Sequence, residues 1–316
     1  MTSSAVHVAV AVIVNQDNEA LISLRSTSSH QGGLWEFPGG KLEPGETVEA
    51  ALRREILEEL DIQVLDSIPF KVIEHHYPDK KVVLHIHIVK NFSGEPKGIE
   101  GQKITWKPLH LLNPEKFPAA NRYLINALNL PDKFMITGSF NGREHFLSSL
   151  KNSLTKGIKL VQLRCKDIES EEYLSLVKDA QALCVAHNSS LLLNTDIETF
   201  NKTQAQGLHL NSQRLHSIKE RPINSEKLLS VSCHTKEDLL QAQLIGADIV
   251  LLSPVKETTS HPGVKGIGWE MFSRLIVNLN IPVYALGGMS EGDISSAKNH
   301  GAQGVAAISS FWMNHE

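Results

Sequence analysis

Eight short apolar runs, at 134–136, 159–163, 191–193, 207–210, 228–232, 249–252, 282–286 and 304–307, alternate with segments long enough to be helices. Each helix in such a series returns the chain to the same end of the sheet. The strands must therefore run parallel, and eight units close into a (β/α)8 barrel. The pattern begins only after Leu130-Pro131-Asp132-Lys133, and the chain has 316 residues. With roughly 150 residues per domain as a prior, a separate domain is expected ahead of the barrel. The fold class is thus α/β and α+β in two domains, 1–130 and 131–316.

Residues 1–130 read differently. Residues 7–14 and 21–25 are strand-like and joined by Asn15-Gln16-Asp17-Asn18, a hairpin turn. A polar loop leads to Leu34-Trp35-Glu36-Phe37-Pro38. A second hairpin spans 64–77 and 82–92, Ile104-Thr105-Trp106 forms a further strand, and 117–130 reads as a helix with Pro118 in its first turn. The sum is a mixed sheet with two helices.

Composition excludes several classes. No run of about 18 apolar residues exists to span a membrane, and Met1-Thr2-Ser3-Ser4 lacks the basic start of a signal peptide. Cys165, Cys184 and Cys233 form no zinc-spaced pair, so a reducing cytoplasm is the natural setting. A net charge of −4 without a basic block excludes a nucleic-acid polymer as partner. His75-His76 and His85-x-His87 fall in alternating stretches and read as strand-face packing. The sequence leaves the oligomeric state open.

The chemistry concentrates in Gly39-Gly40-Lys41-Leu42-Glu43-Pro44-Gly45-Glu46 and the helix-favouring stretch 46–60 that follows. Glu55, Glu58 and Glu59, at i, i+3 and i+4, share one helix edge beside the apolar stripe Leu52, Ile56 and Leu60. No Lys or Arg stands four residues beyond Glu55 or Glu58, so a cation is expected from elsewhere. Oxygen ligands suit a hard ion such as Mg²⁺, which retains waters and phosphate oxygens in its shell.

Gly40, Glu46, Arg54, Glu55, Ile56, Glu58, Glu59 and Ile62 resemble, in order, the signature of the Nudix hydrolases. Asp61 departs from it by standing where that signature has Gly, just past the helix. Asp tolerates a left-handed backbone, so the expected cost is about 1 kcal/mol. The resemblance implies an α/β/α sandwich around the mixed sheet. It also implies Mg²⁺, with Mn²⁺ as a substitute, held by Glu55, Glu58, Glu59 and the Gly39 carbonyl. Arg54 would orient a neighbouring carboxylate, and the general base would be Glu58 or Glu100.

Two segments resemble the MutT branch, which removes 8-oxo-dGTP from the nucleotide pool. Gly94-Glu95-Pro96 with Gly98-Ile99-Glu100-Gly101-Gln102 resembles its outlying metal-associated loop, making Glu100 a further ligand. Phe117-Pro118-Ala119-Ala120-Asn121 resembles the segment that offers a purine-reading Asn, here Asn121, whose amide both donates and accepts. Arg25, Glu36, Phe37 and Lys41 complete the expected substrate side, Arg25 as a phosphate contact. The substrate implied is a nucleoside triphosphate, cleaved to monophosphate and diphosphate.

The barrel half resembles thiamine-phosphate synthase and its TenI-like relatives through Gln162-Leu163-Arg164-Cys165-Lys166, Gly207-Leu208-His209-Leu210, Val231-Ser232-Cys233-His234-Thr235, Gly246-Ala247-Asp248 and Ala285-Leu286-Gly287-Gly288-Met289. The implied phosphate or ligand site comprises Gln162, Arg164, Lys166, Asn194, Ser232, Gly287, Gly288 and Ser309. Thr195 and Arg214 stand where the synthases carry Mg²⁺-binding carboxylates, and His261 where they carry a phosphate-binding Lys. Asp196, one residue further on, would compensate only if its side chain pointed into the site. A degenerate barrel is therefore expected, binding a thiamine-pathway phosphate or serving as scaffold. The competing expectation is that thiamine-pathway phosphates are hydrolysed or sensed, with synthase or thiazole tautomerase-like activity retained.

Overall fold

The computed structural model describes residues 5–27, 31–77, 80–165, 168–258 and 263–312. The chain divides into two compact units, Met1–Asn129 and Leu130–Glu316, each with its own core. Among the described residues no helix is long and apolar enough to cross a membrane.

The first unit runs β1 (Val6–Ile13), β2 (Glu19–Leu24), β3 (Trp35–Glu36), β4 (Gly39–Lys41), α1 (Val48–Leu60), β5 (Gln63–His76), β6 (Lys81–Ser93), β7 (Ile104–Pro108) and α2 (Arg122–Asn129). One sheet has the order β4-β1-β6-β5 and another β3-β2-β7. β1 is parallel to β6 and antiparallel to β4, so the first sheet is mixed. Because β1 is apolar on both faces it can be covered on both. Val10 and Val12 join the core that includes Leu124 and Ile125 of α2, whereas Ala9, Ala11 and Ile13 pack with Leu52, Ile56 and Leu60 of α1. The small alanines let α1 approach closely. Burying each of these Leu and Ile side chains contributes about 1.5–3 kcal/mol.

Both ends of α1 follow from local chemistry. Thr47 caps its start by accepting the Ala50 N–H at 3.2 Å. Asp61 ends it in the left-handed region, φ 57° and ψ 33°, with its N–H on the Leu57 carbonyl.

Two local expectations need correction. The hairpin of β1 and β2 does not form; apart from one bridge, Val14 to Ala20, the strands part into different sheets. The turn itself is as its residues dictate, with Asn15 accepting the Asp17 and Glu19 N–H groups and Asn18 left-handed. The helix expected over 117–130 is also shorter. Pro118 holds Phe117 extended, Ala119–Asn121 forms a 3₁₀ turn, and α2 starts at Arg122. The second hairpin, β5 with β6, is present, with irregular register near Asp66 and Pro69. His87 is buried there against the Ser67 hydroxyl, and His7 stacks on His85, the packing expected of strand histidines.

In the second unit, among the described residues, eight parallel strands close into a barrel. They are β8 (Lys133–Ile136), β9 (Leu160–Leu163), β10 (Ser190–Leu193), β11 (Gly207–Leu210), β12 (Leu228–Cys233), β13 (Ile249–Leu252), β14 (Val283–Leu286) and β15 (Gly304–Ala307). The crossover helices are α3 (Gly142–Thr155), α4 (Ser170–Ala186), α5 (Ile197–Asn201), α6 (Ser212–Ser217), α7 (Lys236–Leu244), α8 (Gly268–Ile276) and α9 (Ile294–Asn299). Phe134, Ile136, Leu160, Leu192, Ile249, Leu251, Tyr284 and Ala306 fill the interior, a packed core rather than a pore.

Replacing Asp61 by Ala removes the short polar side chain that tolerates the left-handed backbone. The first unit should lose about 1 kcal/mol, read as a lower denaturant midpoint, while Asp61→Gly should melt no lower than the parent.

Candidate active site

The acidic edge of α1 faces the glycine turn of β4, and two contacts explain the turn's composition. A Cβ on Gly40 would lie 2.0–2.2 Å from the Glu55 carboxylate atoms, so only glycine leaves room for that group. Gly39, at φ 144°, abuts the Ala9 carbonyl, and its N–H donates to Glu59 Oε2 at 3.2 Å.

Arg54 is the cation that the spacing left unassigned. Its Nε and Nη2 grip both oxygens of Glu46 at 3.0 and 2.9 Å, and Nη1 reaches Glu55 at 2.8 Å and Glu58 at 3.3 Å. Nη2 also donates to the Lys41 carbonyl at 3.1 Å. The fork therefore ties the start of the helix, its acidic edge and the glycine strand together. Arg54 orients carboxylates, and Glu46 anchors Arg54.

Glu59 lies in the centre. Burial pushes its carboxyl up to about 8, against the Gly39 N–H that favours ionisation, and the negative charges of Glu36, Glu55 and Glu100 raise it further. Glu36 is raised too, by burial first, with its Arg25 partner opposing and Glu100 adding to the rise. Glu36 thus belongs with the carboxylates, and Arg25 is paired with it.

Glu100 reaches this group because its loop closes the end of α1. The Glu59 carbonyl accepts both the Ile99 N–H at 3.0 Å and the Gln102 side-chain amide at 3.0 Å, and the Leu60 carbonyl accepts the Lys97 N–H at 2.9 Å. Carbonyls left over at a helix terminus need such partners. Gln102 was no more than a flank in the sequence; its polar side chain beside Glu100 was the available signal.

Arg25, Glu36, Phe37, Gly39, Gly40, Lys41 and Asn121 line one cleft of about 320 Å³. Asn121 is buried at the end of the 3₁₀ turn, and Phe37 packs on Phe117 with ring centroids 5.5 Å apart. Glu58 is mostly exposed and held by Arg54. Among the described residues no three His, Cys, Asp or Glu side chains are already gathered around one ligating point. The donors nevertheless suit a hard cation: they are all oxygen, and the charges of three neighbouring carboxylates, Glu36, Glu55 and Glu100, add to the burial that raises Glu59.

In the barrel, Gln162 and His209 are buried, following Leu160 and Gly207 by two residues toward the interior. His209 lies between Ser230 Oγ at 3.0 Å and Ser232 Oγ at 2.9 Å. Burial holds it down at about 3, with Arg214 and Arg164 adding to the depression. Arg214 donates to Asn194 Oδ1 at 3.2 Å. Asp196 does not compensate for the missing carboxylates; it caps α5, accepting the Thr199 N–H and hydroxyl at 2.8 Å each. Gly287 and Gly288, at φ 98° and 65°, pack against the backbone of Pro254 to Glu257, while Ser309 is exposed. Lys166 and His261 lie outside the described residues.

An acidic helix edge locked onto a glycine strand, in a mixed sheet covered by α1 and α2, defines a Nudix hydrolase, here with a β/α barrel in the same chain. Residues 9–127 match the NUDIX domain model and residues 134–311 the model for thiamine monophosphate synthase. An 8-oxo-dGTP diphosphatase of Escherichia coli (strain K12) is 40% identical over 121 residues, 38% of this chain and 94% of the relative. One from Buchnera aphidicola subsp. Acyrthosiphon pisum is 44% identical over 99 residues, 31% of this chain and 80% of the relative. A thiamine-phosphate synthase of Clostridium tetani is 30% identical over 163 residues, 51% of this chain and 78% of the relative. The chain belongs to the Nudix family through its first unit and to the thiamine monophosphate synthase family through its second.

Gly40→Ala should drive the Glu55 carboxylate off its seat. A misplacement of about 1 Å at a reacting centre costs about 100-fold, so hydrolytic kcat/KM should fall by that order. The circular dichroism spectrum should stay unchanged.

Proposed function

We propose that the first unit is a Mg²⁺-dependent nucleoside triphosphate pyrophosphohydrolase that cleaves 8-oxo-dGTP to 8-oxo-dGMP and diphosphate, clearing oxidised guanine from the nucleotide pool. The observation that carries this reading is the continuity of cleft and carboxylates. Glu36, Gly39 and Gly40 belong to both, and the same cleft contains Asn121 and Phe37. Phosphates and base thereby have adjoining places of suitable chemistry. Relatives 40% and 44% identical to this unit carry the name 8-oxo-dGTP diphosphatase.

When bound, Mg²⁺ held by Glu55, Glu58, Glu59, Glu100 and the Gly39 carbonyl would neutralise phosphate charge and make a water nucleophilic. The chain's own residues supply position and selectivity. Arg54 keeps Glu55 and Glu58 in place, and the Gly39 N–H fixes one oxygen of Glu59. Burial and its acidic neighbours raise Glu59 while no cation is present, and a bound cation would favour its ionised form; Glu58 and Glu100 are the carboxylates proposed as base. Asn121 offers an amide that can donate to and accept from an oxidised purine edge, with Phe37 as the apolar wall. Arg25, balanced by Glu36, and Lys41 supply cations on the phosphate side. For the second unit we propose that a thiamine-pathway phosphate occupies the barrel, on the strength of its family membership.

The deciding experiment compares kcat/KM for 8-oxo-dGTP, dGTP, CTP and hydroxymethylpyrimidine diphosphate on the full chain. The proposal requires 8-oxo-dGTP to lead, and a preference for hydroxymethylpyrimidine diphosphate would overturn it. Glu59→Gln should fold normally yet lose Mg²⁺-dependent diphosphate release, as should the parent in excess chelator. Asn121→Ala should narrow the preference for 8-oxo-dGTP over dGTP by about 10- to 100-fold, with a much smaller loss on dGTP.

A further inference from the structure

The upper end of the barrel interior does not fit the divalent ion that its family resemblance implies. Of the positions expected to carry carboxylates, Thr195 is neutral and buried, and Arg214 is a cation hydrogen-bonded to Asn194. The nearby carboxylate, Asp196, has both oxygens engaged at the start of α5. An ion placed there would face a guanidinium instead of an anion, a repulsive arrangement in a partly dehydrated site.

The same exchange creates a different site. Arg164 leaves the end of β9, and Arg214, which follows β11, donates to Asn194 at the end of the intervening β10; both act electrostatically on the buried His209. Among the described residues neither guanidinium is in an ion pair with a carboxylate. Asp196 bears on Arg214 from its capping position. Below them the Gln162 side chain, 2% exposed, points inward, and its amide oxygen has no partner among the described residues. A buried amide oxygen without a donor is costly to leave empty, so it calls for an N–H or O–H from a ligand. Arg164 also borders a cleft of about 750 Å³ with Thr137, Ser139, Cys165 and Ile308, room enough for a small organic body.

Resting on the reading that a phosphate ester occupies the barrel, we infer that this ester is held without a metal ion, with the Arg214 guanidinium, beside Arg164, in place of the carboxylate-bound cation. A guanidinium presents paired N–H groups that match phosphate oxygens, so it supplies the charge that a carboxylate-bound cation would otherwise bring. His209 is fixed between two serine hydroxyls and is held neutral by burial first. The inference concerns the second unit and stands or falls independently of the nucleotide chemistry proposed for the first.

The test is calorimetric titration of inorganic pyrophosphate into the full chain, once in excess EDTA and once in Mg²⁺. Binding in EDTA is expected. Arg164→Ala and Arg214→Gln should each weaken it about tenfold, the usual order for losing one charged hydrogen-bonding partner. Arg214→Gln keeps an amide for Asn194, and its melting curve shows whether the barrel is intact. Should Arg214→Gln fail to fold, Arg214→Lys keeps the charge without the fork and should bind at intermediate strength. Pyrophosphate that binds the second unit only with Mg²⁺, or whose EDTA binding is the same in both variants, would overturn the inference. Absence of any binding in EDTA would do so as well.

Discussion

The first unit depends on one guanidinium. Arg54 joins Glu46 before the helix, Glu55 and Glu58 on it, and the carbonyl of Lys41 on β4. Without that cation, acidic residues crowded along one helix edge would push the edge away from the glycine strand. With it, charge repulsion becomes a source of order: the carboxylates share a rigid donor and are spaced by it. Glu59, beyond the reach of this fork, is instead held by a backbone N–H and closed in by the loop that carries Glu100. The most perturbed carboxyl in the unit is thus the one left without a cationic side-chain partner of its own.

The barrel shows how the same scaffold responds when charges are exchanged. Its interior packing is ordinary, and the strands close as their apolar runs dictate. Polar groups gather toward the strand ends, with Gln162 and His209 one layer down, and at the strand ends Arg214, a cation, stands where the resemblance implies an acid. The effect reaches down one layer to His209, whose imidazole is kept uncharged by burial and by the two cations above it. Burial is the larger cause of that state, and the cations add to it.

Much of this was legible in the residues. Eight runs placed the barrel strands to within a residue or so at most ends, because fully buried parallel strands are continuous apolar stretches that stop where polarity returns. Thr47 and Asp61 delimit α1 through side-chain and backbone chemistry that is local by nature. The parting of β1 and β2 was not legible, since Asn15-Gln16-Asp17-Asn18 forms the same turn whether its arms pair or diverge. Pairing depended on β6, some seventy residues away in sequence. Nor could spacing along α1 reveal that Arg54, one residue before Glu55, would fold back over three glutamates, or that Glu36 would join the carboxylates. In the barrel, the identities of Thr195 and Arg214 gave the missing charges, but only the capping contacts of Asp196 showed that it does not replace them.

The hydrogen bond from Gly39 to Glu59 has a spectroscopic consequence. A backbone amide proton shared with an ionised oxygen resonates further downfield than one shared with a neutral carboxyl. A single glycine signal, easily isolated by its nitrogen frequency, therefore carries the charge state of the Glu59 side chain. The glycine turn that seats the carboxylates is also the place from which their ionisation can be read, residue by residue, in the intact protein.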